Sequence, residues 1–172
     1  LENMCGITAY LGSESAFEYI IASLILLQNR GYDSAGICTI DDSGTFINNK
    51  YASTKDHTAI ELLQPYGKEH TDHLIGIGHT RWATHGGPTD TNAHPHLDNE
   101  AKLALIHNGI IENYVQLRAE LEKRGHTFKS ETDTESVVHL LSDARKENNG
   151  DLAAAMRKVC QQLKGSFTLL AI

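Results

Sequence analysis

The chain has 172 residues, enough for one domain with a full core but short for two. Hydrophobic residues make up 40% and charged residues 22%, which excludes a disordered tail, a collagen-like fibre and a disulfide miniprotein. Fifteen Lys and Arg against 22 Asp and Glu leave a net charge of -7, a poor match for a phosphate backbone, so no nucleic-acid partner is expected.

Leu1-Glu2-Asn3-Met4 has no basic region, apolar core or cleavage site, and no secretory signal is read there. Met4 reads as an initiator and residues 1–3 as an expression remnant, so the domain is expected to run over 5–172. Cys5 to Leu11 is short, mostly apolar and stopped by Gly12, which predicts a buried strand. Ala16 to Asn29 predicts a helix with Phe17, Ile20, Ile21, Leu24 and Leu27 on one face. The apolar run from Ile20 to Leu27 is far shorter than the roughly 20 residues of a membrane span, so no membrane partner is expected. Strands follow near Ala35 to Ile40 and Thr45 to Ala52, joined by a turn at Asp41-Asp42-Ser43-Gly44. Thr58 to Leu63 predicts a short helix ending before Pro65, and Leu74 to His79 a strand.

Thr80 to Asp98 has a loop composition and is long for a structureless connection, which marks it as functional or disordered. Lys102 to Ile106 predicts a strand stopping at His107-Asn108-Gly109, and Glu112 to Arg124 a helix. Thr132 to Glu135 fits a capping box opening a helix to about Lys146. Asp151 caps a further helix to about Leu163, and Ser166 to Ile172 reads as a last strand. The chain stops inside that strand, so the domain is expected to be incomplete at its C-terminus. Strands joined by a tight turn favour antiparallel pairing and a layered α+β fold.

Several residues are candidates for chemistry, each with a plainer alternative. Cys5, once Met4 is removed, carries both a thiol of pKa about 8.5 and an α-amine of about 8, nucleophile and base in one residue. The alternative is a buried strand cysteine. Cys38 and Cys160 lie in apolar surroundings and read as core. Three cysteines without a C-x-x-C pair suggest a reducing, cytoplasmic compartment. Arg81, in the stretch Gly78 to Gly86, suits two-point binding of a carboxylate; the alternative is a surface loop with a stacked Arg and Trp. Asn108 and Gly109 offer an amide and a backbone N–H side by side, the makings of an oxyanion hole, or an ordinary Asn-Gly turn. Asp133 opens a helix, either as a dipole-stabilised acid or as a binder of an ammonium group. The histidines between His79 and His107 raise a metal site, but His94-Pro95-His96 supplies two of the three to four ligands needed, and hydrogen-bonded histidines are preferred. A nucleophile with anion and cation binders would suit acyl transfer from an amino acid.

Together these residues resemble a known family. Cys5-Gly6-Ile7, Arg30 to Gly36, Gly78 to Gly86, Asn92 to His96, His107 to Tyr114 and Ser130 to Glu135 occur in family order for the class II glutamine amidotransferases, in the branch of the glutamine–fructose-6-phosphate aminotransferases. Amidophosphoribosyltransferases, the alternative branch, have Gln-Asp-Ala where this chain has Tyr32-Asp33-Ser34, and lack Trp82 to His85. The resemblance implies an N-terminal nucleophile hydrolase fold, an αββα sandwich, and hydrolysis of L-glutamine to L-glutamate and ammonia without a metal or cofactor. It implies Cys5 as nucleophile with its amine as base, Asn108 and Gly109 as oxyanion hole, and Arg30 as a residue that orients Cys5. Arg81 would hold the glutamine carboxylate and Asp133 its amine, with Trp82, Thr84 and His85 lining the pocket. It also implies sugar isomerase domains, absent from this chain, that bind fructose 6-phosphate, in a cytoplasmic and homo-oligomeric full-length enzyme. If residues 1–4 stay attached, Cys5 has an amide in place of an amine, and a glutamine-binding module without turnover is the further alternative.

Overall fold

A computed structural model describes residues 5–29, 33–83 and 85–172. Two antiparallel sheets lie face to face, with helices on both outer sides. The first sheet has the order β1-β4-β2-β3, from β1 (Gly6–Leu11), β2 (Ser34–Ile40), β3 (Phe46–Ala52) and β4 (Ile75–Arg81). The second has the order β5-β6-β7, from β5 (His96–Leu97), β6 (Ala104–Ile111) and β7 (Gly165–Ala171). Helix α1 (Ala16–Leu27) and the short α2 (Ala59–Leu63) cover the first sheet. Helices α3 (Tyr114–Lys123), α4 (Asp133–Glu147) and α5 (Leu152–Cys160) cover the second.

The layers follow from the two-residue period of the strands. In β6, Leu105 and Ile111 face the helices, whereas Ala104 and Ile106 face the other sheet. In β2, Ala35 and Ile37 meet α1 and α2, and Cys38 faces inward with Ile77 of β4. Gly76 and Gly78 give β4 a bare outer face. Ile20 of α1 fills it: a Cβ on Gly78 would lie 2.3 Å from Ile20 Cγ2, and one on Gly76 2.7 Å from Ile20 Cδ1. Ile20 and Leu24 are fully buried there, each contributing roughly 1.5–3 kcal/mol of apolar burial.

The hairpin turn forms as read, with Asp41 Oδ1 accepting from Ser43 N and Thr45 N, both at 2.8 Å. Several expectations need correction. β4 runs on to Arg81, and the following loop contains β5. β6 does not stop at residue 106 but continues through His107-Asn108-Gly109 to Ile111, because β7 pairs along that whole length. Asn108-Gly109 is therefore not a turn. At Thr132 only half of the capping box forms: its hydroxyl accepts from Glu135 N at 3.4 Å, while Glu135 turns back to Lys129 N and Ser130 N. Helix α5 ends at Cys160, and Cys160 is exposed rather than core; Cys38 is fully buried.

Candidate active site

The site forms at one end of the space between the sheets. Gly6 of β1 pairs with Thr80 of β4, so the start of one strand meets the end of the other. That register sets Cys5 beside Trp82, whose backbone N lies 3.1 Å from Cys5 Sγ. The loop after β4 is bolted by Asp33, whose carboxylate accepts from Ala83 N at 2.9 Å. Asn108, on the inward face of β6, crosses to the first sheet and donates from Nδ2 to the Cys5 carbonyl at 2.8 Å. Its Oδ1 lies 2.8 Å from Nε2 of His79 on β4.

A cleft of about 440 Å³ opens at this junction. Cys5, Arg81, Trp82, Asn108, Gly109 and Asp133 all line it. Gly109 sits at φ +113 inside β6, and a Cβ there would lie 2.0 Å from the Ser166 carbonyl. Only glycine fits that backbone and that approach. Asp133 is the first residue of α4. Its Oδ2 accepts from Ile111 N at 2.8 Å and its Oδ1 lies 3.9 Å from His107 Nδ1. The ring of His107 is held by Thr134, at 2.9 Å from Nδ1.

Arg81 is buried and gives N–H groups to the carbonyls of His85, Gly86 and Gly87, the last at 3.2 Å. It thereby closes the end of the loop on itself. Burial lowers the Arg81 pKa, and the neighbouring Cys5, Asp33 and Asp133 act against that. Burial pushes the Cys5 thiol up; the Trp82 N–H and the Arg81 charge pull it down without cancelling the effect. The thiol therefore needs a base to become a nucleophile.

Cys5, Asn108, Gly109, Arg81, Trp82 and Asp133 are thus brought together. His85 is not among the cleft-lining residues: its ring packs edge-on against Tyr114, 5.1 Å between centroids. Arg30 and Thr84 lie outside the described residues. The cleft also takes Ser166, Phe167 and Thr168 from β7. Sequence reading missed these three because only the pairing of Asn108 with Thr168 and Gly109 with Phe167 brings them there. The roles of Asp33 and His79 were missed too, although both sit within the motifs singled out. Their signal was polarity at the ends of apolar strands. Among the described residues, no group of three or more His, Cys, Asp or Glu is arranged to hold a metal ion.

The family model described as a glutamine amidotransferase domain matches residues 65–169. The chain is 51% identical over 174 residues to the glutamine–fructose-6-phosphate aminotransferase (isomerizing) of Streptomyces coelicolor, covering 98% of this chain and 27% of that protein. It is 45% identical over 169 residues to the protein of the same name from Aquifex aeolicus, again covering 98% and 27%. The chain therefore spans about a quarter of the length of these curated relatives. Among solved structures it is similar to glutamine phosphoribosylpyrophosphate amidotransferase from B. subtilis, with 29% identity and a TM-score of 0.75 over 98% of this chain and 34% of that one. A structure described as the allosteric regulatory enzyme of purine biosynthesis gives 30% identity and a TM-score of 0.76, over 98% and 35%.

Proposed function

The chain belongs to the glutamine amidotransferase domain family, with the αββα fold of the N-terminal nucleophile hydrolases, and from that premise we propose that it releases ammonia from L-glutamine through Cys5. What carries the reading is the convergence of Cys5, Asn108 and Gly109 on one cleft that also holds Arg81 and Asp133. With residues 1–4 removed, the α-amine of Cys5 takes the thiol proton. The thiolate attacks the side-chain carboxamide carbon, and the oxyanion is met by Asn108 Nδ2 and Gly109 N. Collapse expels ammonia, which takes the proton back from the Cys5 ammonium. Water, deprotonated by the same amine, then cleaves the glutamyl thioester and releases glutamate. Asp133 holds the substrate ammonium and Arg81 its carboxylate, with Trp82 beside them; Arg30 and Thr84, which the family resemblance adds, lie outside the described residues, and His85 packs on Tyr114 away from the cleft lining.

The ammonia serves the conversion of fructose 6-phosphate to glucosamine 6-phosphate in a longer, cytoplasmic, homo-oligomeric enzyme whose sugar isomerase domains lie outside this chain. The names and identities of the curated relatives support that acceptor over phosphoribosyl pyrophosphate. No helix among the described residues is long and apolar enough to cross a membrane.

The test is glutamate and ammonia release by three forms: the chain processed to begin at Cys5, the unprocessed chain, and processed chain carrying Cys5→Ala. Turnover is expected from the first alone. Equal activity in the Cys5→Ala form, or none from the folded processed chain, would overturn the reading.

A further inference from the structure

We propose that His79 is a positioning residue that sets which way the Asn108 side-chain amide faces. It is fully buried at the inward face of β4, directly behind the cleft. Its Nε2 lies 2.8 Å from Asn108 Oδ1 and 3.0 Å from the backbone carbonyl of His107. The carbonyl is an acceptor whatever the side chains do, so Nε2 must carry a proton to meet it. A protonated Nε2 requires an acceptor from Asn108 as well, and that acceptor is Oδ1. The amide nitrogen is then turned the other way, to the Cys5 carbonyl at 2.8 Å and to the cleft. The flipped amide would set an N–H against the Nε2 proton and oxygen against oxygen at Cys5. Both ends of the lock therefore choose the same rotamer.

His79 Nδ1 has no hydrogen-bond partner among the described residues, so nothing there favours the other tautomer. The ring packs on His94, with centroids 4.3 Å apart. The charged or titratable groups facing it are His94, His107 and Arg81, and the charges of His107 and Arg81 disfavour a second proton. Burial, the largest cause, pushes its pKa down to about 4 against the hydrogen bonds to Asn108 and His107, which keeps it neutral in the pH range of an assay. No described contact of His79 with the cleft lining other than through Asn108 and His107 is needed for this role.

The kinetic part of the proposal rests on the glutaminase reading; the structural part does not. Loss of one oxyanion donor costs roughly 100- to 1000-fold in kcat. Removing the lock, which lets the amide rotate without deleting it, is expected to cost about 10- to 100-fold, with KM moved less than about threefold. The test combines kinetics with nitrogen-15 NMR. His79→Leu in the processed chain should lower kcat by that factor, and His79→Gln, whose amide nitrogen reaches the position of Nε2, should recover most of it. In an Asn108→Ala background, His79→Leu should cause no further loss of kcat, because the group it positions is gone. Losses that multiply in the double variant, or a drop confined to KM, would overturn the proposal. If His79→Leu fails to fold, the unsubstituted chain still decides. Nitrogen-15 shifts at pH 7 should report a neutral ring with its proton on Nε2, whereas a proton on Nδ1 overturns the lock. An Nε2 proton in a chain that turns over no glutamine would support the lock and overturn the glutaminase reading.

Discussion

The two oxygens of Asp133 face different tasks. Oδ2 is tied to Ile111 N at 2.8 Å, which fastens the start of α4 to the end of β6. Oδ1 lies 3.9 Å from His107 Nδ1 and accepts from Thr134 Oγ1 at 3.4 Å, in a residue that lines the cleft. Asp133→Asn keeps the shape and one acceptor but removes the charge an ammonium group needs. A hydrogen bond to a charged group is worth about 1.5–3 kcal/mol, so KM for glutamine is expected to rise about 10- to 100-fold with kcat falling less than threefold. Steady-state kinetics of the processed chain checks this; an unchanged KM places the ammonium elsewhere. Asn108→Ala should act on the other parameter, lowering kcat by roughly 100- to 1000-fold with little effect on KM. Residues of this kind were legible because their side-chain chemistry is unusual for their place. A cysteine directly after a methionine, an amide before a glycine and an acid opening a helix each announce themselves. Phe167 and Thr168 do not: they are ordinary strand residues that reach the cleft only through their register with Gly109 and Asn108.

Among the elements, β4 carries His79, Arg81 and the start of the Trp82 loop. Its opposite face is glycine at 76 and 78 so that α1 can lie close. Gly78→Ala would set a methyl 2.3 Å from Ile20 Cγ2 and 3.1 Å from Thr8 Cγ2. Both neighbours are branched and neither is the end of a flexible chain, so the contact is relieved only by shifting α1. Overpacking of this sort costs roughly 1–3 kcal/mol. Urea unfolding should show a loss in that range with an unchanged slope; full stability would mean that α1 is seated less tightly than described. The glycines were visible in the sequence, but which helix they admit was not. Nearly every helix and strand was legible from periodicity and caps. The failures lie where pairing overrides a local signal. Asn108-Gly109 reads as a turn, yet β7 pairs with β6 across it. The two-residue β5 has no periodicity to read at all.

In the whole molecule, the space between the two sheets is filled by imidazoles as well as by apolar side chains. His79, His94 and His96 are buried there with ring centroids 4.3 and 4.9 Å apart in succession, and His107 lies 6.4 Å from His94. His70 is buried at the far side of the first sheet, 2.7 Å from Thr39 Oγ1. The sequence showed His79, His94, His96 and His107 within a cluster along the chain; only the stacking of the sheets turns them into a buried set. Burial pushes His70 and His79 down to about 4 and holds His94 and His96 well below their ordinary value. Well above pH 6.5 they are neutral in both the folded and the unfolded chain and add no slope. Between pH 6.5 and 4 the unfolded chain takes up the protons that the folded one refuses, so stability falls as pH falls. His70 and His79 alone make unfolding bind close to two protons near pH 5.5, a slope of roughly 2–3 kcal/mol per pH unit, and His94 and His96 add to it in the same direction. A domain whose stability is about 5–15 kcal/mol loses a large part of it over two such units. Acid unfolding is therefore expected to set in above pH 4.5, before the carboxylates protonate. Glu135, held down to about 2 by His139, Ser130 and Lys129, adds its own loss only below that. Urea titrations at half-unit steps from pH 7.5 to 4.5 measure the slope directly. His70→Gln should lower it by about one proton, or roughly 1.4 kcal/mol per pH unit, because Gln cannot take up a charge in the unfolded chain. A curve that stays flat down to pH 5 would mean that the buried imidazoles are already protonated in the folded chain, with Glu135 near His96 and Asp133 near His107 outweighing the cost of burial.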